Sequence, residues 1–175
     1  DFFSGNINGT VNFFNNIGLS NNLPVFEFST SFWQDIIITG PSQERRHGAS
    51  AIKFIDLDGD QDLDLAWGDY FQRSLYIIWN IGTPEIPIMD SENFFYQYPP
   101  NDPVYTSGQN MPSFTDIDGD GDLDIVAGGV ESNEIAWFEN DGSANPSWTK
   151  TSIATSAQHA RDVDVADMDG DGDLD

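Results

Sequence analysis

The chain has 175 residues, with six Lys and Arg against 30 Asp and Glu, a formal net charge of −24, 13 Phe and no Cys. That charge argues against nucleic acid and anionic membrane as partners and favours small cations. The absence of cysteine excludes disulfides, zinc-thiolate sites and cysteine nucleophiles. No apolar run reaches the ~18 residues of a membrane-spanning helix. Hydrophobic residues at 38% and aromatics at 13% are enough for a core, so the acidity does not mark a disordered tail.

Taken in chain order, the sequence reads as short strands and turns. "VNFFNNIG" (11–18) is β-prone and ends in Asn-x-Gly. "AIKFI" (51–55) leads into "DLDGDQDLD" (56–64), "LDLAWG" (63–68) leads out, and "SLYIIWN" (74–80) is closed by a second Asn-x-Gly turn. "ENFFYQY" (92–98) reads as a last strand. The order then repeats: "PSFTD" (112–116), "DIDGDGDLD" (116–124), "LDIVAGG" (123–129), "EIAWFEN" (134–140) and "PSWTKTSI" (146–153). "DMDGDGDLD" (167–175) opens a further round. No segment combines a 3.6-residue period with helix caps.

Two markers keep nearly one period. The Asp clusters begin at Asp56, Asp116 and Asp167, 60 and 51 residues apart; Asn16, Asn80 and Asn140 are 64 and 60 apart, and Pro24, Pro84 and Pro146 follow them. Such self-similarity marks a repeat architecture. Roughly four strands per unit of about 60 residues predicts an all-β fold of antiparallel β-propeller blades, in a ring that typically needs about 4–8 of them. The expected division is the end of one blade at 1–45, blades at 46–106 and 107–157, and the start of another at 158–175, about three blades of an incomplete ring. The first residue is Asp1 and the last is the ninth of a cluster, and we expect a piece of a longer protein whose other blades are partners of these. Aligned columns Val11/Leu75/Ile135, Phe13/Ile77/Trp137 and Phe14/Ile78/Phe138 are apolar on both faces, as in a strand covered on two sides. Trp79 aligns with Asn15 and Glu139, which makes it the best candidate for an exposed aromatic that touches a ligand; the other tryptophans read as core.

Half of the acidic residues, 15 of 30, lie in the three nine-residue clusters, on positions 1, 3, 5, 7 and 9, with Gly at position 4 and, in the second and third, at position 6. Alternate carboxylates that a glycine lets curl around one point suit a hard cation with six to eight oxygen ligands. A backbone carbonyl near position 7 adds an oxygen and the position-9 carboxylate closes the cage. Calcium tolerates this geometry better than magnesium, which prefers an octahedron and keeps its waters. An EF-hand would need Glu at position 12 and flanking helices; position 12 is Trp67 or Ala127 and the flanks are strand-like. The competing readings are a solvated acidic turn and a calcium ion that is purely structural.

With these residues on the page, the unit resembles the FG-GAP or VCBS-type repeat of secreted bacterial β-propellers, related to integrin alpha blades. Gly48 and Gly108 stand eight residues before Asp56 and Asp116, where integrin blades have the Gly of Phe-Gly, and His47 and Ser107 hold the Phe position. Gly68 and Gly128 match a later Gly, Ala-Pro is missing, and His159 replaces the first Gly in the third unit; "EIAWFENDG" and "DVDVADMDGDGDLD" favour the bacterial variant. The resemblance implies up to three calcium ions, one per loop. One is held by Asp56, Asp58, Asp60, Asp64 and the carbonyl of Asp62. A second is held by Asp116, Asp118, Asp120, Asp122 and Asp124, and a third by Asp167, Asp169, Asp171, Asp173 and Asp175. It also implies an extracellular or cell-surface setting. Gln61, where the other loops have Gly, makes the first site the expected weakest.

No catalytic constellation is identified. His47, His159 and the basic "ERRH" (44–47) read as structural before they read as ligand-binding. The leading functional reading is a calcium-binding module for adhesion to a glycan or protein; the alternative is the scaffold or accessory propeller of a secreted polysaccharide-degrading enzyme.

Overall fold

The structure, a computed structural model, describes residues 1–38, 51–68, 75–93, 95–98, 112–129, 132–160, 162–172 and 174, with backbone alone at 95–98. Among the described residues the fold is all-β, with one 3-10 turn, Trp33–Asp35, and three antiparallel sheets. The first sheet holds β1 (Phe2–Gly5), β2 (Val11–Ser20) and β3 (Leu23–Thr30). The second holds β4 (Ala51–Ile55), β5 (Asp64–Gly68), β6 (Leu75–Ile78) and β7 (Phe95–Tyr98). The third holds β8 (Ser113–Thr115), β9 (Asp124–Gly129), β10 (Glu134–Asn140) and β11 (Trp148–Ala154). Each sheet is a meander in chain order. These are small sheets of the kind that make propeller blades, and among the described residues they do not close a ring.

The aspartate clusters connect equivalent strands. β4 pairs with β5 from Ile55↔Asp64 to Ala51↔Gly68, and β8 pairs with β9 from Thr115↔Asp124 to Ser113↔Val126. Each of the first two nine-residue clusters is therefore the turn of a hairpin, its ninth residue already the first of the outgoing strand.

Two apolar clusters hold the sheets face to face, and side-chain alternation decides which residue joins which. Leu65, Trp67, Tyr76 and Ile78 of the second sheet pack with Val11, Ile36 and Ile38, and Phe3, Trp33 and Phe54 border them. On the other face Ala66, Leu75 and Ile77 pack with Ile125, Ala127, Ala136 and Phe138 of the third sheet. Since neighbouring residues of a strand point to opposite faces, β5 and β6 are buried at every position. This is the two-sided strand that the apolar columns predict. In β10 only Ala136, Phe138 and Asn140 are buried and their neighbours are half-buried, because that sheet has a described partner on one face alone.

Two expectations are corrected here. The Asn-x-Gly at Asn16 does not close its strand: β2 continues through a register irregularity to Ser20, and the hairpin turns at Asn21 and Asn22. Both have left-handed φ, 53° and 63°, as a two-residue type I′ turn requires and as Asn tolerates. Trp79 is half-buried and packs against the cluster around Leu75 and Phe138, so it is not an exposed aromatic.

The fully buried Trp67 fills the space between the first two sheets. Trp67→Ala is expected to cost about 3–5 kcal/mol, a large part of the ~5–15 kcal/mol that holds a typical domain. Urea unfolding checks this; an unchanged midpoint would contradict the packing.

Candidate metal centres

The local sequence dictates how each loop curls. At position 4, Gly59, Gly119 and Gly170 have φ of +74°, +77° and +79°, a region that side chains avoid and glycine occupies freely. Position 6 repeats the demand: Gly121 and Gly172 have φ of +104° and +97°, and Gln61 adopts +76° despite its Cβ. These two left-handed residues turn the backbone so that alternate side chains face inward.

In each loop the carboxylates at positions 1, 3 and 5 then converge. Asp56, Asp58 and Asp60 each bring an oxygen within 4.8 Å of the others, as do Asp116, Asp118 and Asp120, and Asp167, Asp169 and Asp171. Two unit charges at 4.8 Å repel by about 3.5 kcal/mol at an effective dielectric of ~20. Part of this is relieved by backbone N–H groups. In the second loop Gly119 and Gly121 donate to the two oxygens of Asp116 at 2.8 and 3.0 Å, Asp120 donates to Asp118 at 3.2 Å, and Asp122 donates to Asp120 at 3.0 Å. The first and third loops repeat most of this set, through Gln61 to Asp56 at 3.1 Å and Gly172 to Asp167 at 3.0 Å.

What the backbone leaves unsatisfied is informative. Oδ1 of Asp56 and Oδ1 of Asp62 are buried and accept no hydrogen bond. A buried carboxylate oxygen without a donor is costly, and a cation in the cage removes that cost. The donor set is all carboxylate, the chemistry of a hard divalent ion, so the residues fit a metal.

The ninth aspartate is placed differently from the other four. Asp64 and Asp124 are both 1% exposed. Asp64 accepts Leu57 N–H at 3.2 Å on Oδ2 and Asn80 N–H at 2.8 Å on Oδ1; Asp124 accepts Ile117 N–H at 3.1 Å and Asn140 N–H at 2.9 Å in the same way. One carboxylate thus ties the start of the loop to the far end of the third strand. Asp1 repeats half of this bond, accepting Asn16 N–H at 3.0 Å on Oδ1.

The asparagines complete the network. Asn80 and Asn140 accept the N–H of Gly82 and Gly142 on Oδ1, each at 3.0 Å. Asn140 Nδ2 donates to Leu123 O at 3.1 Å and, across the sheet boundary, to Leu57 O at 3.3 Å. Gly142 suits this turn because its φ of +66° is one that side chains rarely adopt. Sequence reasoning treats these asparagines as turn markers only. The signal of their role is the constant interval of 16 residues from Asp64 to Asn80 and from Asp124 to Asn140.

The structure brings together the carboxylates of positions 1, 3 and 5 in all three loops and sets Asp64 and Asp124, at position 9, on backbone N–H groups. Asp173 and Asp175 lie outside the described residues, as do His47, Gly48, Ser107, Gly108 and the "ERRH" stretch. His159, which stands in a glycine slot, is exposed with a left-handed φ of +60°, a backbone that Gly would adopt freely.

Burial and like charge act on the carboxyls. Burial, then the carboxylates of Asp60 and Asp56, raises Asp58; burial, then Asp60, Asp58 and Asp56, raises Asp62. Burial raises Asp124 against the donors that hold it down, Asn140 and Ile117 first. Burial pushes Asp64 up to about 7 from an ordinary 3.8, despite the hydrogen bonds from Asn80 and Leu57.

Residues 116–175 match the FG-GAP-like repeat family, a span that includes the second and third loops. No curated protein and no solved structure matches the chain.

Two predictions follow from the loop chemistry. Between about pH 4 and 7 the folded chain keeps on Asp64 a proton that the unfolded chain, titrating near 3.8, has lost. Metal-free protein should therefore be most stable at the acidic end of that window and lose stability as pH rises through 7. Melting of metal-free protein at pH 5 and 8 measures the slope. Asp64→Asn should flatten it, and a slope that rises toward pH 8 would contradict the assignment. Gln61→Gly relieves left-handed strain of about 1–2 kcal/mol at the cost of ~0.5–1 kcal/mol of chain entropy. It should raise stability by up to about 1 kcal/mol, readable as a shift in the urea midpoint.

Proposed function

We propose that the chain is a calcium-binding repeat module of a secreted or cell-surface protein, which presents its surface to a glycan or protein ligand. The observation that carries the calcium reading is the threefold convergence of position 1, 3 and 5 carboxylates within 4.8 Å, in the first loop beside buried oxygens of Asp56 and Asp62 that have no donor. Calcium is favoured over magnesium because the cage is irregular and all-oxygen. The FG-GAP-like repeat over residues 116–175 supports the same ion. The reading takes the setting as extracellular, where millimolar calcium would fill sites with Kd of about 10⁻⁴–10⁻³ M.

The role of the ion is to hold the frame. With it, each hairpin turn becomes a fixed point between two strands, and a stiff array of blades can offer a constant surface to a partner. Binding to the native state alone raises stability by mass action, and removal leaves carboxylates facing one another.

Calcium at millimolar concentration should therefore raise the melting temperature and chelation should lower it. Asp118→Ala should reduce calcium stoichiometry by one in equilibrium dialysis; unchanged stoichiometry would remove the second loop as a site. For the ligand, a glycan and matrix-protein array probed with and without calcium should give calcium-dependent binding. A blank array in both conditions would count against the adhesion reading while leaving the ion sites standing.

A further inference from the structure

We propose that a cavity beside the β1–β2 turn is a binding site for an uncharged sugar residue of a glycan. Such a site rests on the glycan- or protein-binding reading of the chain and gives it a place and a chemistry. The cavity has a volume of about 490 Å³ and is lined by Asn6, Asn8, Thr10, Ser31, Phe32 and Ile37. That volume lies within the ordinary range of ligand pockets, about 300–1,000 Å³. In a chain with 30 Asp and Glu, none of these six residues carries a charge.

The walls are two short segments that the backbone joins. One is the turn from β1 to β2, closed by Gly9 N–H to Asn6 O at 3.0 Å and Asn6 N–H to Thr10 O at 3.1 Å, with Gly9 at a φ of +76°. Asn6 braces it from within: its Nδ2 donates to Thr10 Oγ1 at 2.6 Å and its Oδ1 accepts Asn8 N–H at 2.9 Å. The other wall is the segment 31–38, which follows β3. Ile38 N–H donates to Gly9 O at 2.8 Å and Thr10 forms a β-bridge with Ile37, so each wall fixes the other. The second wall is also anchored away from the cavity. Trp33 borders the core, Ile36 and Ile38 are fully buried, and Gln34 Nε2 donates to Pro87 O at 2.8 Å. Gln34 and Asp35 hold left-handed φ of 55° and 54°, which side chains keep only where the surroundings impose it. In this turn Trp33 packs inward while its neighbour Phe32 stays 54% exposed at the cavity.

What the walls hold out selects the ligand. Phe32 is a large exposed ring, Asn8 is exposed, and Ser31 is half-buried at the rim. An Asn amide offers two donors and an acceptor, and a Ser hydroxyl does both. Sugar hydroxyls need donors and acceptors side by side, and the C–H groups on the face of a sugar ring suit the electron-rich face of an aromatic ring. Charge decides between ligand classes. An anionic saccharide meets a net charge of −24 and no cation in the lining, while a cationic ligand finds no carboxylate there to pair with. A neutral sugar is opposed on neither count. The cavity is also a feature of this sheet and not of the repeat. Thr10 stands six residues before Asn16; six before Asn140 stands Glu134, a charged residue paired with Lys150 at 3.1 Å.

The test probes the whole chain, in millimolar calcium, with neutral hexamers of glucose, mannose, xylose and N-acetylglucosamine, an acidic hexamer of galacturonate, and a set of matrix proteins. A neutral hexamer should bind and the galacturonate hexamer should not. Phe32→Ala and Asn8→Ala should each weaken the bound hexamer roughly three- to tenfold, with the melting temperature unchanged because both side chains are exposed. Phe32→Trp, which keeps a ring, should retain binding, and it keeps the test readable if the alanine variant does not fold. Neutral-glycan binding that neither alanine substitution weakens would overturn this site and leave the adhesion reading standing. Binding confined to galacturonate or to a matrix protein would do the same. A blank result with every glycan and protein would overturn both.

Discussion

The structure depends on a buried carboxylate that accepts two backbone N–H groups far apart in sequence. Asp64 and Asp124 each sit at the point where the aspartate loop becomes a strand, and each draws in the second loop residue and the Asn that ends or follows the next strand. Hydrogen bonds to a charged acceptor are worth more than neutral ones, about 1.5–3 kcal/mol each, and losing the acceptor would strand two buried donors. Strand pairing could hold the hairpin without this residue, but the loop would then have no fixed relation to the rest of its sheet. The same carboxylate is the group whose burial most strongly opposes ionisation. The fold therefore places a destabilised charge under the cage and leaves the balance to what fills the cage.

That arrangement accounts for an acidity of −24 in a chain that still folds. The backbone of each loop donates to the carboxylates at positions 1, 3 and 5, yet donors are fewer than acceptor lone pairs, and the convergence that a cation needs is already built by two left-handed residues per loop. The preorganisation is local: Gly or Gln at position 6 and Gly at position 4 set it, whatever the strands do. Burial differs among the loops. The first is partly covered, the second less so, and the third is exposed throughout its described residues. The loop with the strained Gln61 is thus also the one with buried oxygens awaiting a partner. Strain weakens that site while desolvation sharpens its need for an ion, and the expectation that it is the weakest weighs only the first of these terms.

Much of this was legible in the sequence because it is periodic. The strands before and after each cluster, the closing strands at 134–140 and 148–154, and the two-sided burial of Leu75, Ile77 and Ile78 follow from repeats and alternation. The left-handed turn at position 6 could be anticipated from Gly in two loops. What escaped were contacts between distant positions. Nothing local to Asp64 says that its oxygens meet Leu57 and Asn80, and the sequence reading accordingly assigns it to the ion cage alone. Asn140 reaches Leu57 across 83 residues, which no window of composition reveals. Trp79 misled for a related reason: a column with Asn15 and Glu139 looks solvent-facing, but a large ring can fold back onto the neighbouring cluster where a short polar side chain cannot.

The bond from Asn140 to Leu57 also bears on how the array behaves as a whole. In repeat proteins stability is a sum of intrinsic and nearest-neighbour terms, and here part of the neighbour term passes through the loop itself. Leu57 is the second residue of the first cluster, buried in the core between the second and third sheets. Its carbonyl holds Asn140, and its N–H is held by Asp64. An ion that fixes the first loop fixes Leu57, and through it the turn at Asn140 that receives Asp124 of the second loop. Ordering one loop lowers the entropy still to be lost in the next, which is a route to positive coupling between sites without any change of shape. The candidate ion sites, the buried carboxylates and the Asn140 staple are on this account one network.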